Sequence, residues 1–226
     1  IDGFYDGVIP LTASEREALA KIPPYEDNLK ELYEFSAVEG GGMSLMESIQ
    51  LPSLNINGLV SGWVGEQSRT IIPPEASASL DVRLVKGNRP EDMVKKVISH
   101  IKEQGYFVVT DVPGRDIRMK YGKIARVAVE SGSYPASRLE LDHPLAGMVI
   151  EALEVLHEGR LVILPTLGGS LPIHHFAEIL DVPVIGLPVV NHDNNQHQAN
   201  ENIRLGHLWS AIETFAAIFK MSGPQK

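Results

Sequence analysis

Polar and apolar positions change their rhythm along the chain near residue 135. Residues 1–52 hold no sustained period. Within them Thr12-Ala13-Ser14-Glu15 has capping-box spacing and predicts a short helix through Lys21, stopped by Pro23-Pro24. A second helical stretch, Asn28 to Phe35, runs towards Gly40-Gly41-Gly42, a flexible joint. From Ser53 the texture is strand-like. Leu54, Ile56 and Leu59–Val64 are broken by glycines, which predicts a strand with a bulge or a close backbone contact. A loop follows at Gly65–Arg69. Residues 76–85 then alternate cleanly. Ala76, Ala78, Leu80, Val82 and Leu84 take one face; Ser77, Ser79, Asp81 and Arg83 take the other. The pattern predicts one packed and one polar face. Asn88 is placed to cap a helix with Pro90 and Glu91 in its first turn. Met93, Val94, Val97, Ile98 and Ile101 give that helix an apolar face, and Gly105 ends it. Tyr106–Val112 and Lys123–Glu130 read as two more strands, completing a small α+β layer.

Beyond Pro144 helices and apolar runs alternate. The expected order is helix 144–157, strand 161–164, helix 171–180, strand 184–190, polar loop 191–200 and helix 202–219. Short strands without internal alternation imply a parallel sheet covered on both faces. Two strands are too few for a stable doubly wound domain, so further strands are expected elsewhere. These patterns place one domain at 1–135 and a second, α/β in character, at 136–226.

Composition narrows the classes. The chain has 226 residues, 43% hydrophobic and 22% charged, as in ordinary globular proteins, which argues against disorder. It has no cysteine, which removes disulfides, thiolate zinc sites, iron–sulfur clusters and a cysteine nucleophile. Basic residues number 20 against 29 acidic ones, a net charge of -9, which argues against nucleic acid and anionic membranes as partners. No apolar run approaches the roughly 18 residues of a membrane span, and a cytoplasmic location is the default expectation. The sequence opens at Ile1 without Met, as a piece of a longer protein would.

Three places could carry chemistry. Asn191–Asn202 follows an apolar run and is dense in polar groups, with His192, Asp193, His197 and Glu201 as possible metal ligands. The competing reading is a solvated loop that caps the last helix through Asn200. Gly168-Gly169-Ser170 precedes a predicted helix and could offer backbone N–H groups and a hydroxyl to an anion. It matches neither a Walker loop nor a nucleophile elbow. Arg83, on the polar face of the best strand, suits a carboxylate, unless Asp81 claims it. His143 is placed to cap the 144–157 helix. His174 and His175 read as packed helix residues; His100, His157 and His207 read as helix-surface positions.

Taken in order, Thr70-Ile-Ile-Pro73 with the Arg83-Leu-Val85 strand end, Gly168-Gly-Ser-Leu-Pro172, and His197-Gln-Ala-Asn-Glu201 resemble the C-terminal half of the M20 metallopeptidases. The likeness is strongest to the carnosinase-like dipeptidase branch. Gly3-Phe-Tyr-Asp6 and Leu11-Thr12 are similar to that branch too. Each motif is modest; three in series make coincidence improbable.

The resemblance implies an α+β lid (dimerisation) domain over 1–135, followed by the C-terminal part of an α/β zinc-peptidase catalytic domain. It implies two divalent metal ions, zinc or else manganese or cobalt, with His197 as a terminal ligand. Thr70, Arg83, Gly169 and Ser170 would contact the peptide and its carboxylate, and the lid would form a homodimer. The family's other metal ligands, general-base glutamate and lid histidine have no counterparts among these 226 residues, so the chain alone is expected to be inactive. The alternatives are a non-catalytic peptide-binding or assembly module of the same family, and a free-standing lid-type interaction domain.

Overall fold

The computed structural model describes residues 1–221. The chain forms two compact units: residues 1–10 with 39–137, and residues 11–38 with 138–226. The split at 137/138 lies close to the boundary expected near 135. Residues 11–38, however, fall in the unit of the C-terminal residues rather than in the first segment.

In the first unit, strand β1 (Ser53–Ser61) pairs antiparallel with β2 (Ala76–Arg83). Their register shifts between Ile56 and Gly58, the bulge that the glycine-punctuated pattern predicts. Helix α4 (Pro90–Glu103) follows, and packs with the short strand β3 (Phe107–Val109). Helix α5 (Arg115–Lys120) then leads to β4 (Ile124–Arg126), which lies parallel to β3. Phe107 stacks on Tyr121 at 3.7 Å between centroids, tying the crossover to its strand. The two later strands are shorter than expected. The supposed packed face of β2 is also largely open, with Leu80 44% exposed.

Asn88 does not cap α4. Arg89 holds the N-cap position without a side-chain bond, and Pro90 supplies the first-turn geometry. Asn88 is buried instead. Its Nδ2 donates to the Asp6 carbonyl at 3.3 Å, and its Oδ1 accepts from the Val85 amide at 3.4 Å. Lys96 Nζ donates to the Gly3 carbonyl at 2.6 Å, and the Ile9 amide donates to the Lys86 carbonyl at 3.1 Å. The opening decapeptide is thus strapped across the start of α4, with Phe4 buried. Gly87 permits this approach. Its φ is +99°, and a Cβ there would sit 2.0 Å from the Gly7 carbonyl oxygen.

In the second unit, α1 (Ala13–Ala20) carries the predicted capping box: Glu15 N–H donates to Thr12 Oγ1, and Thr12 N–H donates to Glu15 Oε2 at 2.7 Å. Helix α2 is Glu26–Tyr33. A one-turn helix in the first unit, α3 (Leu45–Ser48), was not expected and repeats the box with Ser44 and Glu47. Helix α6 (Pro144–His157) has the predicted bounds, and His143 Nδ1 accepts from the Leu145 amide. Ala146, Val149 and Leu153 form its buried stripe. It packs against α7 (Leu205–Phe219), where Thr214 Oγ1 lies 3.5 Å from His157 Nε2. His157 is therefore an inter-helix contact rather than a plain surface position.

Among the described residues, 161–164 and 184–190 pair with nothing as strands; both ladders belong to the first unit. A strand is defined by its neighbour's hydrogen bonds, and these apolar runs have no neighbour. The predicted 171–180 helix is reduced to one π-type turn, His175–Ile179. Asn200 does not cap α7; its φ is +64° and Arg204 is the N-cap. No described helix is long and apolar enough to cross a membrane.

The firmest long-range contact in the second unit is buried: Glu15 is 0% exposed, and Arg138 Nε lies 3.4 Å from its Oε1. Arg138→Ala strands that carboxylate and should cost about 3–5 kcal/mol, while replacing both residues by apolar ones of similar volume should recover most of the loss. Urea unfolding of the three proteins checks this; equal losses in the single and double variants would contradict it.

Candidate functional site

The polar loop 191–204 is more ordered than its composition suggests. Asn191 is 3% exposed and acts as its hub. Its Nδ2 donates to Asp193 Oδ1 at 2.8 Å and to Asn202 Oδ1 at 3.4 Å, while its Oδ1 accepts from the Arg204 amide at 3.0 Å. Asn194, also buried, accepts through Oδ1 from the Gln196 amide and through its carbonyl from Asn202 N–H at 2.9 Å. Arg204 pairs with Asp193 at 2.5 Å. Asn195, His197 and Asn200 all adopt positive φ, at 58°, 66° and 64°. Left-handed backbone at non-glycine residues costs free energy, and the asparagine bonds offset it. The result holds His197 exposed on a braced turn.

The four candidate ligands do not converge. Among the described residues no three His, Asp or Glu side chains are grouped to hold a metal ion. Asp193 is engaged by Asn191 and Arg204. A catalytic zinc takes about three protein ligands plus water. The described residues therefore do not by themselves gather the three ligands of such a centre.

The Gly168-Gly169-Ser170 turn is exposed, and a Cβ on Gly169 would meet nothing within 4 Å. It does not open a helix, because the only helical turn nearby begins at His175. The predicted support from a helix dipole is therefore missing, and the turn has only its own amides and the Ser170 hydroxyl to present.

In the first unit, Arg83 stands at the end of β2, its Nε 2.5 Å from Asp81 Oδ2. The pairing set against the carboxylate role is present, but the guanidinium is half exposed and has further donors. Thr70 lies in the exposed 62–75 connection at the other end of β2, about 23 Å along the strand. That connection is braced by Arg69 over the Trp63 ring at 4.6 Å and by Ser61 Oγ donating to the Glu75 carbonyl. Thr70 thus precedes the first residue of β2 and Arg83 is its last. Gly169, Ser170 and His197 belong to the other unit.

Sequence reasoning missed Asn191, Asn194, Asn202 and Arg204 as the framework of the loop. Five asparagines in twelve residues were the available signal, since Asn both tolerates positive φ and bonds to nearby backbone.

The peptidase dimerisation domain matches residues 16–108. The chain is 24% identical to the Beta-Ala-His dipeptidase of Mus musculus, over 97% of this chain and 42% of that one. It is 25% identical to the Cys-Gly metallodipeptidase DUG1 of Saccharomyces cerevisiae, over 96% of this chain and 43% of that one. It thus spans less than half the length of these curated relatives. Among solved structures, the M20 family metallo-carboxypeptidase Sso-CP2 of Sulfolobus solfataricus superposes with a TM-score of 0.74 at 24% identity, covering 97% of this chain and 47% of the other. The chain is similar to the M20 peptidases, as the three motifs led us to expect, and its mixed helix-and-strand fold matches theirs. Within the class, the likeness is to the carnosinase-like dipeptidase branch.

Asp193 gives a pH test of the loop. Its carboxyl is held below the ordinary range, first by the Asn191 hydrogen bond and also by Arg204 and His192. A depressed pKa contributes stability above the unfolded value and loses it as pH falls through the folded one. The Asn202 and Arg204 amide resonances should therefore hold steady near neutrality and move as pH drops below about 4. Asp193→Asn should abolish that movement. Asn191→Ala should destabilise the loop by about 1–3 kcal/mol, read by amide exchange.

Proposed function

We propose that the chain is part of a two-metal dipeptidase, in which His197 is a terminal metal ligand and Arg83 grips the substrate carboxylate. The observation that carries this reading is the braced turn 191–204. It presents His197 at positive φ on a turn braced by asparagine hydrogen bonds, within the motif that is similar to the M20 family's. The relatives named above are dipeptidases, which supports dipeptides or related small amides as substrates.

In this reading residues 1–135 form the lid and residues 136–226 contribute to the catalytic domain. Thr70, Gly169 and Ser170 join Arg83 in holding the peptide. The match to a dimerisation domain supports a homodimer formed through the lid. A pair of divalent ions, zinc first, would supply an activated water and a polarised carbonyl. This chain's own residues bind and orient: Arg83 as a charge-assisted donor, Ser170 and the amides around Gly169 as neutral donors, His197 as one neutral imidazole. The remaining ligands and a general base lie outside the described residues, so the chain by itself is inactive.

Two outcomes are expected in the whole protein. Arg83→Ala should weaken substrates with a free C-terminal carboxylate by roughly 2–4 kcal/mol and spare amidated ones. Equal losses for both would remove Arg83 from the carboxylate role. His197→Ala should lower bound metal by elemental analysis; unchanged stoichiometry would remove it from the centre.

A further inference from the structure

Asn57 is the only asparagine in the chain followed by glycine. It also occupies the bulge of β1. Ile56 pairs with Leu80 and Gly58 pairs with Ser79, so Asn57 is the residue left without a partner. It is exposed. The side chains of Asn55, Asn88, Asn191, Asn194, Asn195 and Asn202 are each held by a hydrogen bond. No hydrogen bond holds the Asn57 amide among the described residues.

The bulge sets the phase of the hairpin. Leu54 and Ile56 face the side occupied by Val82 and Leu80. Strict alternation would put Gly58 next on that side. The extra residue puts Leu59 there instead, opposite Ala78. Asn57 is thus both the least constrained asparagine of the sheet and the residue on which its apolar stripe depends.

We propose that Asn57 is a self-modification site, at which the amide is lost through a succinimide formed with Gly58. The Gly58 backbone nitrogen, its proton removed by hydroxide, attacks Asn57 Cγ. The new N–Cγ bond closes a five-membered imide, the Cγ–Nδ2 bond breaks, and ammonia leaves with a proton from water. Water then opens the imide at either carbonyl, giving aspartate or isoaspartate. The sum is asparagine plus water to acid plus ammonia, with no oxidant or catalyst. Glycine is the favourable successor because it lacks a Cβ to obstruct the attack. The isoaspartate product carries its main chain through one extra carbon, at the position that keeps Leu59 in phase.

The whole chain, incubated at mildly alkaline pH and digested, tests this by peptide mass and by an isoaspartate-specific methylation assay. The 57–58 peptide should convert to both acids at least about tenfold faster than the peptide holding Asn194 and Asn195, a barrier difference of about 1.4 kcal/mol. Gly58→Ala should slow it by a similar factor. That variant is expected to fold, because Gly58 has no positive φ and its Cβ would meet only Ser79 Cβ, at 3.8 Å. Asn57→Gln should abolish the reaction without touching Gly58. Conversion no faster than at Asn195, or rapid only after unfolding in urea, would overturn the proposal.

Discussion

The buried pair of Glu15 and Arg138 is the contact on which the second unit depends. Glu15 uses one oxygen to close the capping box of α1 and turns the other towards Arg138. A local signal that starts a helix therefore doubles as the anchor for a segment far along the chain. Desolvating two charges is expensive, and the pair holds only while its geometry is good. The pair links α1 to residue 138 within this unit, although the sequence pattern groups residues 11–38 with the residues that follow.

The first unit has a comparable device made of backbone. Gly87 lets two chain segments approach at a distance no side chain there would tolerate. Lys96 and Asn88 then satisfy the carbonyls of Gly3 and Asp6. Polar groups, rather than a large apolar core, fix the strap. The buried apolar set of the unit is small, with Phe4 and Met93 its clearest members.

Local features were legible in the sequence and non-local ones were not. The capping box at Thr12, the bulge within β1, the bounds of α6 and the His143 cap all follow from chemistry within a few residues. The Arg83–Asp81 pair was visible as the competing use of Arg83. Asn88 was misassigned because its propensity to cap is real but its buried position gave it better partners in Asp6 and Val85. The runs at 161–164 and 184–190 have strand composition, yet a ladder needs a second chain segment that hydrophobicity alone does not supply. The three site motifs, by their order, pointed to the family that the chain is similar to. They could not show that the candidate ligands around His197 diverge.

The divergence is informative about the loop itself. Three non-glycine residues of the loop hold positive φ; Asn195 and Asn200 tolerate it, and His197 bears the larger cost. Here the cost is met by Asn191 and Asn194, buried and bonded on several sides. Asp193, though exposed, is engaged by Asn191 and Arg204. His192, His197 and Glu201 all remain exposed around that framework. A loop braced from within by its asparagines, whose exposed side chains do not gather three ligands among the described residues, fits poorly a self-contained metal cage.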